Sequence, residues 1–199
     1  MGFILQSLPR TVISGFILAI FLYLYNIGFG SVDQIVLDQS YLAFLFRWIH
    51  VLSGIMWIGL LWYFNFVQIP NMPNIPDDQK PAIGKVIAPA ALFWFRWAAK
   101  ATILSGLILG YLSGYLHEAM TFQDGFQIIG IGMWLGTIMW FNVWFVIWPN
   151  QKKALGIVEV DPETKANAAR TAMLFSRTNT LLSIPMLFSM VAAQNYMFR

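Results

Sequence analysis

Cysteine is absent from all 199 residues, which excludes disulfides, thiolate-bound zinc, iron–sulfur clusters and haem attached through CxxCH. Charge is scarce as well: Asp, Glu, Lys and Arg make up 11% of the chain, against roughly 25% in an ordinary soluble domain. No phosphate-binding glycine loop, no HExxH, no Ser/His/Asp set and no pair of carboxylates within an apolar run occurs. The net charge of +3 is spread along the chain and not gathered in a patch, so nucleic acid is not an expected partner. Histidine is down to 2 residues, His50 and His117. Any catalysis must lean on one of these, on a cluster of cations or on a bound cofactor.

What remains is apolar. Hydrophobic residues make up 58%, and the mean hydropathy is +0.64. Crossing a bilayer takes about 20 mostly apolar residues, and the stretches 11–29, 43–68, 92–116, 126–148 and 172–197 qualify. The expected fold is an all-α membrane protein, a bundle of about five transmembrane helices forming a single domain over 1–199. Arg10 alone precedes the first apolar run, which lacks an A-x-A-like exit, so a retained first helix is expected rather than a cleaved signal peptide. Arg10, Lys80, Lys85, Lys152, Lys153, Lys165 and Arg170 fall on one side of this arrangement. Asp33, Asp38, Glu118, Asp124 and Arg199 fall on the other. The positive-inside rule then puts the N-terminus in the cytoplasm and the C-terminus outside, in a membrane expected to be the bacterial inner membrane.

Five prolines between Pro70 and Pro89 predict a break between the second and third spans. Asp161-Pro162-Glu163 supplies an N-cap, a proline at the first helical position and an early acid, so the last helix is expected to start in water. Pro185 predicts a kink further along it. Gly106, Gly110 and Gly114 at four-residue spacing, with Gly132 and Gly136, predict close helix packing. The tryptophans near helix ends, among them Trp62, Trp94, Trp97 and Trp148, read as an interfacial aromatic belt.

Two groups of ionisable or amide side chains stand out, because polar groups at membrane depth are costly unless used. His50 lies roughly 10 Å below the outer boundary by helical rise, in a run that also carries Arg47. Imidazole is a common axial ligand of haem iron. His50 is therefore the candidate haem b ligand, with His117 as a candidate second ligand and Arg47 placed to meet a propionate or to snorkel to headgroups. Toward the inner side lie Arg96, Lys100, Asn142, Arg177 and Asn179, with Asn65 near them and no acid in any span. Such a set suits an anion, whether a substrate, a propionate or a lipid phosphate. Snorkelling competes as the account of Arg96 and Arg177.

RWIHVLSGIMWIG with YFNF, WFRWAAKATILSG, FNVWFVIWPNQKK and SRTNTLLSIPMLFSM occur in this order over about residues 43–196. In these segments the chain resembles the urate oxidase N-terminal domain family, the bacterial membrane-bound urate oxidase type. The resemblance carries over to His50, to Asn142, Pro149, Asn150 and Gln151, and to Asn179 and Pro185. It implies a multi-helix membrane protein of purine degradation that oxidises urate and passes electrons to a cytochrome c domain. No CxxCH lies within these residues, so a separate cytochrome c or other electron carrier is the expected acceptor. The chain departs from the family pattern at Phe93 and Ala98, where relatives carry a histidine and an acid, and in the tail segment AQNY. A weaker likeness, in the histidine that opens a helix and in Arg177-x-Asn179 followed by Pro185, links the chain to small membrane protoporphyrinogen oxidases, which bind haem b.

Two classes of function are compatible with these residues. One is a membrane redox enzyme holding haem b at His50 and oxidising urate or another planar anion, or a protoporphyrinogen oxidase-like enzyme. The other is a non-enzymatic membrane subunit that packs through its glycine faces against a partner complex or against further copies of itself.

Overall fold

The computed structural model describes residues 2–29 and 38–194, and every regular element among them is helical. Asp33, Arg199 and the end of the 172–197 stretch lie outside the described residues. The elements are α1 (Gly2–Leu5), α2 (Leu8–Phe29), α3 (Gln39–Asn74), α4 (Lys80–Leu112), α5 (Leu116–Met120), α6 (Gln127–Ala154) and α7 (Pro162–Ala192). The chain divides into two units, Met1–Tyr41 and Leu42–Arg199. In the first, α2 buries none of its described side chains, as a helix solvated by lipid can. The second holds the core and the candidate site.

Four helices are long and apolar enough to cross a membrane, over Leu8–Tyr25, Gln39–Asn74, Lys80–Leu112 and Gln127–Ala154. The last helix, α7, falls short of that measure because Arg177, Thr178, Asn179 and Thr180 interrupt its apolar run. One polar stripe of it is turned inward: Ser176, Asn179, Ser183 and Ser189 are all buried, while Arg177 and Thr178 are exposed. Asn65 Nδ2 on α3 donates to Ser176 Oγ at 2.7 Å, and Trp62 Nε1 donates to Ser183 Oγ at 3.0 Å. Hydrogen bonds between helices thus add to the packing of Met186, Leu182, Leu187 and Met190 against the core in tying α7 into the unit. Around it, Trp57, Leu61, Phe95, Met139, Val143 and Ile147 form a core at most 1% exposed.

The proline-rich break is shorter than the composition suggests. Helix α3 runs on through Pro70, α4 begins at Lys80 well before residue 92, and α6 continues through Pro149. In each case a π-helical segment absorbs the proline: Tyr63–Gln68 before Pro70, Ile83–Ile87 before Pro89, and Asn142–Ile147 before Pro149. Proline lacks an N–H and its ring crowds the carbonyl four residues back. Widening the preceding turn removes that conflict without ending the helix. Pro185 also sits inside an unbroken α7.

Helix ends reflect local chemistry. Asp161 caps α7, accepting from Thr164 N at 2.9 Å and Thr164 Oγ1 at 2.6 Å. These hydrogen bonds hold its carboxyl below the usual carboxylate range. At the other end of the connection between α3 and α4, Lys80 Nζ donates to Asp77 at 2.6 Å and likewise lowers that carboxyl. Gly114 proves to be a terminator, not a packing residue: its φ is 75°, and Tyr115 N donates back to Gly110 O at 3.1 Å in a Schellman closure of α4. The closure explains why His117 sits on the separate α5.

Candidate functional site

Helices α3, α4, α6 and α7 line a partly open cavity of about 650 Å³, within the range of cofactor and ligand pockets. His50, Arg47, Thr102, Tyr115, Trp57 and Met186 are among its lining residues. The imidazole is fixed from α4: His50 Nδ1 lies 2.8 Å from Thr102 O. A carbonyl can only accept, so Nδ1 carries the proton, and in the neutral ring Nε2 then keeps its lone pair. This is the orientation a metal-ligating histidine takes, with its second ring nitrogen donating to a backbone carbonyl. Ser105 Oγ, 3.5 Å from the same Nδ1, donates to Ala101 O at 2.6 Å and so secures the helix turn beneath the ring.

Gly106 makes the arrangement possible. A Cβ there would lie 2.8 Å from His50 Cε1 and 3.0 Å from Nδ1, closer than side chains pack. Behind the cavity lining, Gly132 lets α7 approach α6, since a Cβ there would meet Ser189 Cβ at 3.1 Å and Met190 Cε at 3.3 Å. Gly59 also lines the cavity, and a Cβ added there would meet nothing within 4 Å. The walls are otherwise largely apolar, with Arg47 the only Lys or Arg among the lining residues. Trp57, 1% exposed, lines the cavity and keeps a buried indole N–H without an acceptor.

A haem b placed here would find one imidazole, one arginine able to meet an anionic substituent and largely apolar walls. His117 is not brought to it: it is exposed on α5 and does not line the cavity. Met133, Met186 and Met190 do line it. Among the described residues no group of three His, Cys, Asp or Glu side chains assembles into a metal site.

The inner set of polar residues is divided by the structure into separate arrangements. Asn142 and Asn179 are both buried and face each other: Asn142 Nδ2 donates to Asn179 Oδ1 at 2.9 Å, and Asn179 Nδ2 donates to Met139 O at 2.9 Å. Their amides are engaged in joining α6 to α7. Arg177 is exposed on α7. Arg96 is instead brought onto a tryptophan of α6, and Lys100 lies between one tryptophan of its own helix and one of α6. The Arg96 guanidinium carbon lies 3.2 Å from the Trp148 ring centroid. Lys100 Nζ lies 5.1 Å from that of Trp97 and 5.9 Å from that of Trp144. The spacing explains the ladder: Arg96 and Lys100 are one turn apart on α4, as Trp148 and Trp144 are on α6. Sequence reasoning assigned those indoles to the aromatic belt and missed their role. The matching four-residue spacings were the available signal.

These features define an integral membrane protein of the all-helical kind, with a cavity walled by helices and presenting one histidine. Residues 116–198 match the model of the family described as urate oxidase N-terminal, which supports the resemblance carried by the sequence segments. The match takes in α5, α6 and α7, including the cavity residues Met133, Gly136, Met186 and Met190, while His50 and Arg47 precede it. No curated protein and no solved structure matches the chain.

Proposed function

We propose that the chain is a membrane redox protein that binds haem b in the cavity through His50 Nε2 and accepts electrons from urate or another planar organic anion. When bound, the haem supplies reversible one-electron chemistry. The protein's own contribution is positional. Thr102 O fixes the imidazole tautomer, Gly106 makes room for the ring, Arg47 meets an anionic group of the ligand, and the apolar walls exclude water. Electrons leave to a separate carrier of the cytochrome c type. The single observation that carries this reading is the His50 Nδ1 to Thr102 O contact of 2.8 Å in a lined cavity. It leaves a lone pair on the remaining ring nitrogen.

In this reading five helices span the membrane, α7 being the fifth, and the helix starts carrying Lys80 and Lys165 lie on the cytoplasmic side of a bacterial membrane. The separation of the Arg96 and Lys100 ladder from the cavity lining favours a single redox centre at His50 rather than one spread between the two places.

The deciding experiment is the visible spectrum of protein purified in mild detergent, before and after dithionite. Stoichiometric haem b with a Soret band that shifts on reduction, absent from folded His50→Ala, supports the reading, and anaerobic bleaching or reduction by urate then tests the substrate. A flat spectrum from folded protein expressed with added haem overturns it and leaves the non-enzymatic subunit.

A further inference from the structure

The seam between α4 and α6 holds cations with no anion to answer them. Arg96 and Lys152 both ride on Trp148, the guanidinium carbon at 3.2 Å and Lys152 Nζ at 5.7 Å from the ring centroid. Lys100 sits one turn along α4 over Trp97 and Trp144, whose rings meet edge to face at 5.8 Å. Among the described residues the only ion pair is Lys80 with Asp77, so no carboxylate neutralises this group. Arg96 Nη1 is buried and has no hydrogen-bond acceptor. The π faces of the indoles attract the cations but leave their N–H donors unfilled.

Depth identifies the partner. Counting about 20 residues of hydrocarbon span back from Leu112 on α4 reaches the neighbourhood of Phe93. Counting the same way forward from Gln127 on α6 reaches the neighbourhood of Val146. Two antiparallel helices therefore put Arg96 about one turn inside a single bilayer boundary, with Trp148 close to it and Lys152 about two turns beyond it on the water side. The surface beside them is apolar and open: Phe93 is 48%, Trp94 57%, Trp97 46% and Phe145 59% exposed. None of the ladder residues lines the His50 cavity. A small free anion would be held there by charge alone, whereas a lipid brings acyl chains to the exposed aromatic surface and a phosphate to the cations.

We propose that this seam is a binding site for an anionic phospholipid, whose headgroup phosphate is held by Arg96 and Lys152 beside the Trp148 indole. The phosphate supplies acceptors for the Arg96 donors, and Lys100 adds charge from one turn deeper. The site is separate from the His50 cavity, since Arg96 precedes Thr102 by about 9 Å of helical rise. Its existence does not depend on haem.

The test uses the whole chain in detergent micelles doped with phosphatidylglycerol or phosphatidylcholine, with bound lipid counted by native mass spectrometry and thermal stabilisation followed in parallel. Wild type should retain phosphatidylglycerol preferentially, and inorganic phosphate should not displace it. Lys152→Gln, at the end of α6 and outside the core, should weaken retention about fivefold, and Arg96→Gln with Lys152→Gln by about the square of that factor. Both variants should still bind haem if the cavity does. Equal retention of the two lipids, undiminished retention in Lys152→Gln, or displacement by inorganic phosphate would each overturn the proposal, the last by revealing a free-anion site.

Discussion

Gly106 and His50 occupy one another's space across the seam of α3 and α4: a Cβ on Gly106 would come to 2.8 Å from His50 Cε1. The absent side chain is thus part of how the imidazole is positioned. Gly106→Ala should push the ring off Thr102 O, breaking the 2.8 Å contact, at an overpacking cost of about 1–3 kcal/mol. Haem loading should fall sharply while the protein still elutes as folded. Gly15→Ala is the control, because its Cβ meets nothing within 4 Å and Gly15 does not line the cavity, so loading should stay near the wild-type level. Pyridine haemochrome content per folded protein reads both. Unchanged loading in Gly106→Ala would show that the imidazole position is immaterial.

The Asn142–Asn179 pair makes a different demand. Asn179 is 0% exposed and links two helices through Asn142 and the Met139 carbonyl. Asn179→Leu leaves the Asn142 amide with a lost partner and should destabilise the fold by about 1–3 kcal/mol. Replacing both by Leu removes the unsatisfied group together with the bond, so the double variant should lose less than the two single losses added. Thermal unfolding in detergent, arranged as a double-mutant cycle, measures the coupling. Simple additivity would mean that the amides contribute separately. Weakened urate affinity with normal stability would return them to a ligand site.

Much of this architecture is legible along the chain because membrane helices are written in local apolar runs and charged loops. Asp161-Pro162-Glu163 announced the start of α7 through capping chemistry that needs no tertiary partner. His50 stood out because an ionisable group in an apolar run is costly to keep unless it is used, and the structure places it in the wall of a cavity. The pairing of Asn142 with Asn179 was hidden, since it spans 37 positions and depends on how α6 packs on α7. Gly114 shared the four-residue spacing of Gly106 and Gly110, yet its positive φ assigns it to a helix end. Composition around Pro70 and Pro89 signalled a break, because the rule that proline stops helices omits the wider turn that can admit it.

Asp161 makes the start of α7 sensitive to acid. Its pKa is lowered by the Thr164 hydroxyl first and the Thr164 backbone N–H next, so the cap is complete at pH above the ordinary carboxylate value. Its stabilisation is lost as pH falls through that range and then through the lower folded-state value. Amide exchange in residues 162–170 should accelerate relative to the core of α7 on acidification. Asp161→Asn retains a neutral cap and should flatten that relative change, while Asp161→Ala should fray the segment at neutral pH. A wild type whose first turn shows the same protection, relative to the helix core, across this range would rule out the carboxylate as the cap that matters.

The three π segments end two residues before Pro70, Pro89 and Pro149, which suggests that proline selects the wide turn. On α6 this turn sets where Trp148 and Lys152 point relative to Asn142, since removing one residue's worth of excess winding rotates the rest of the helix by about 100°. Pro149→Ala restores an N–H and relieves the crowding on the Phe145 carbonyl, so Asn142–Ile147 should relax toward α-helical winding. Trp148 would then turn away from Arg96. Because the chain contains no cysteine, spin labels at Lys85→Cys and Lys153→Cys report the rotation without interference. The distance distribution between them should move by several ångströms, about the swing of a side chain around a helix axis. If the distributions with and without Pro149 coincide, packing of the flanking helices holds the π turn, and proline merely tolerates it.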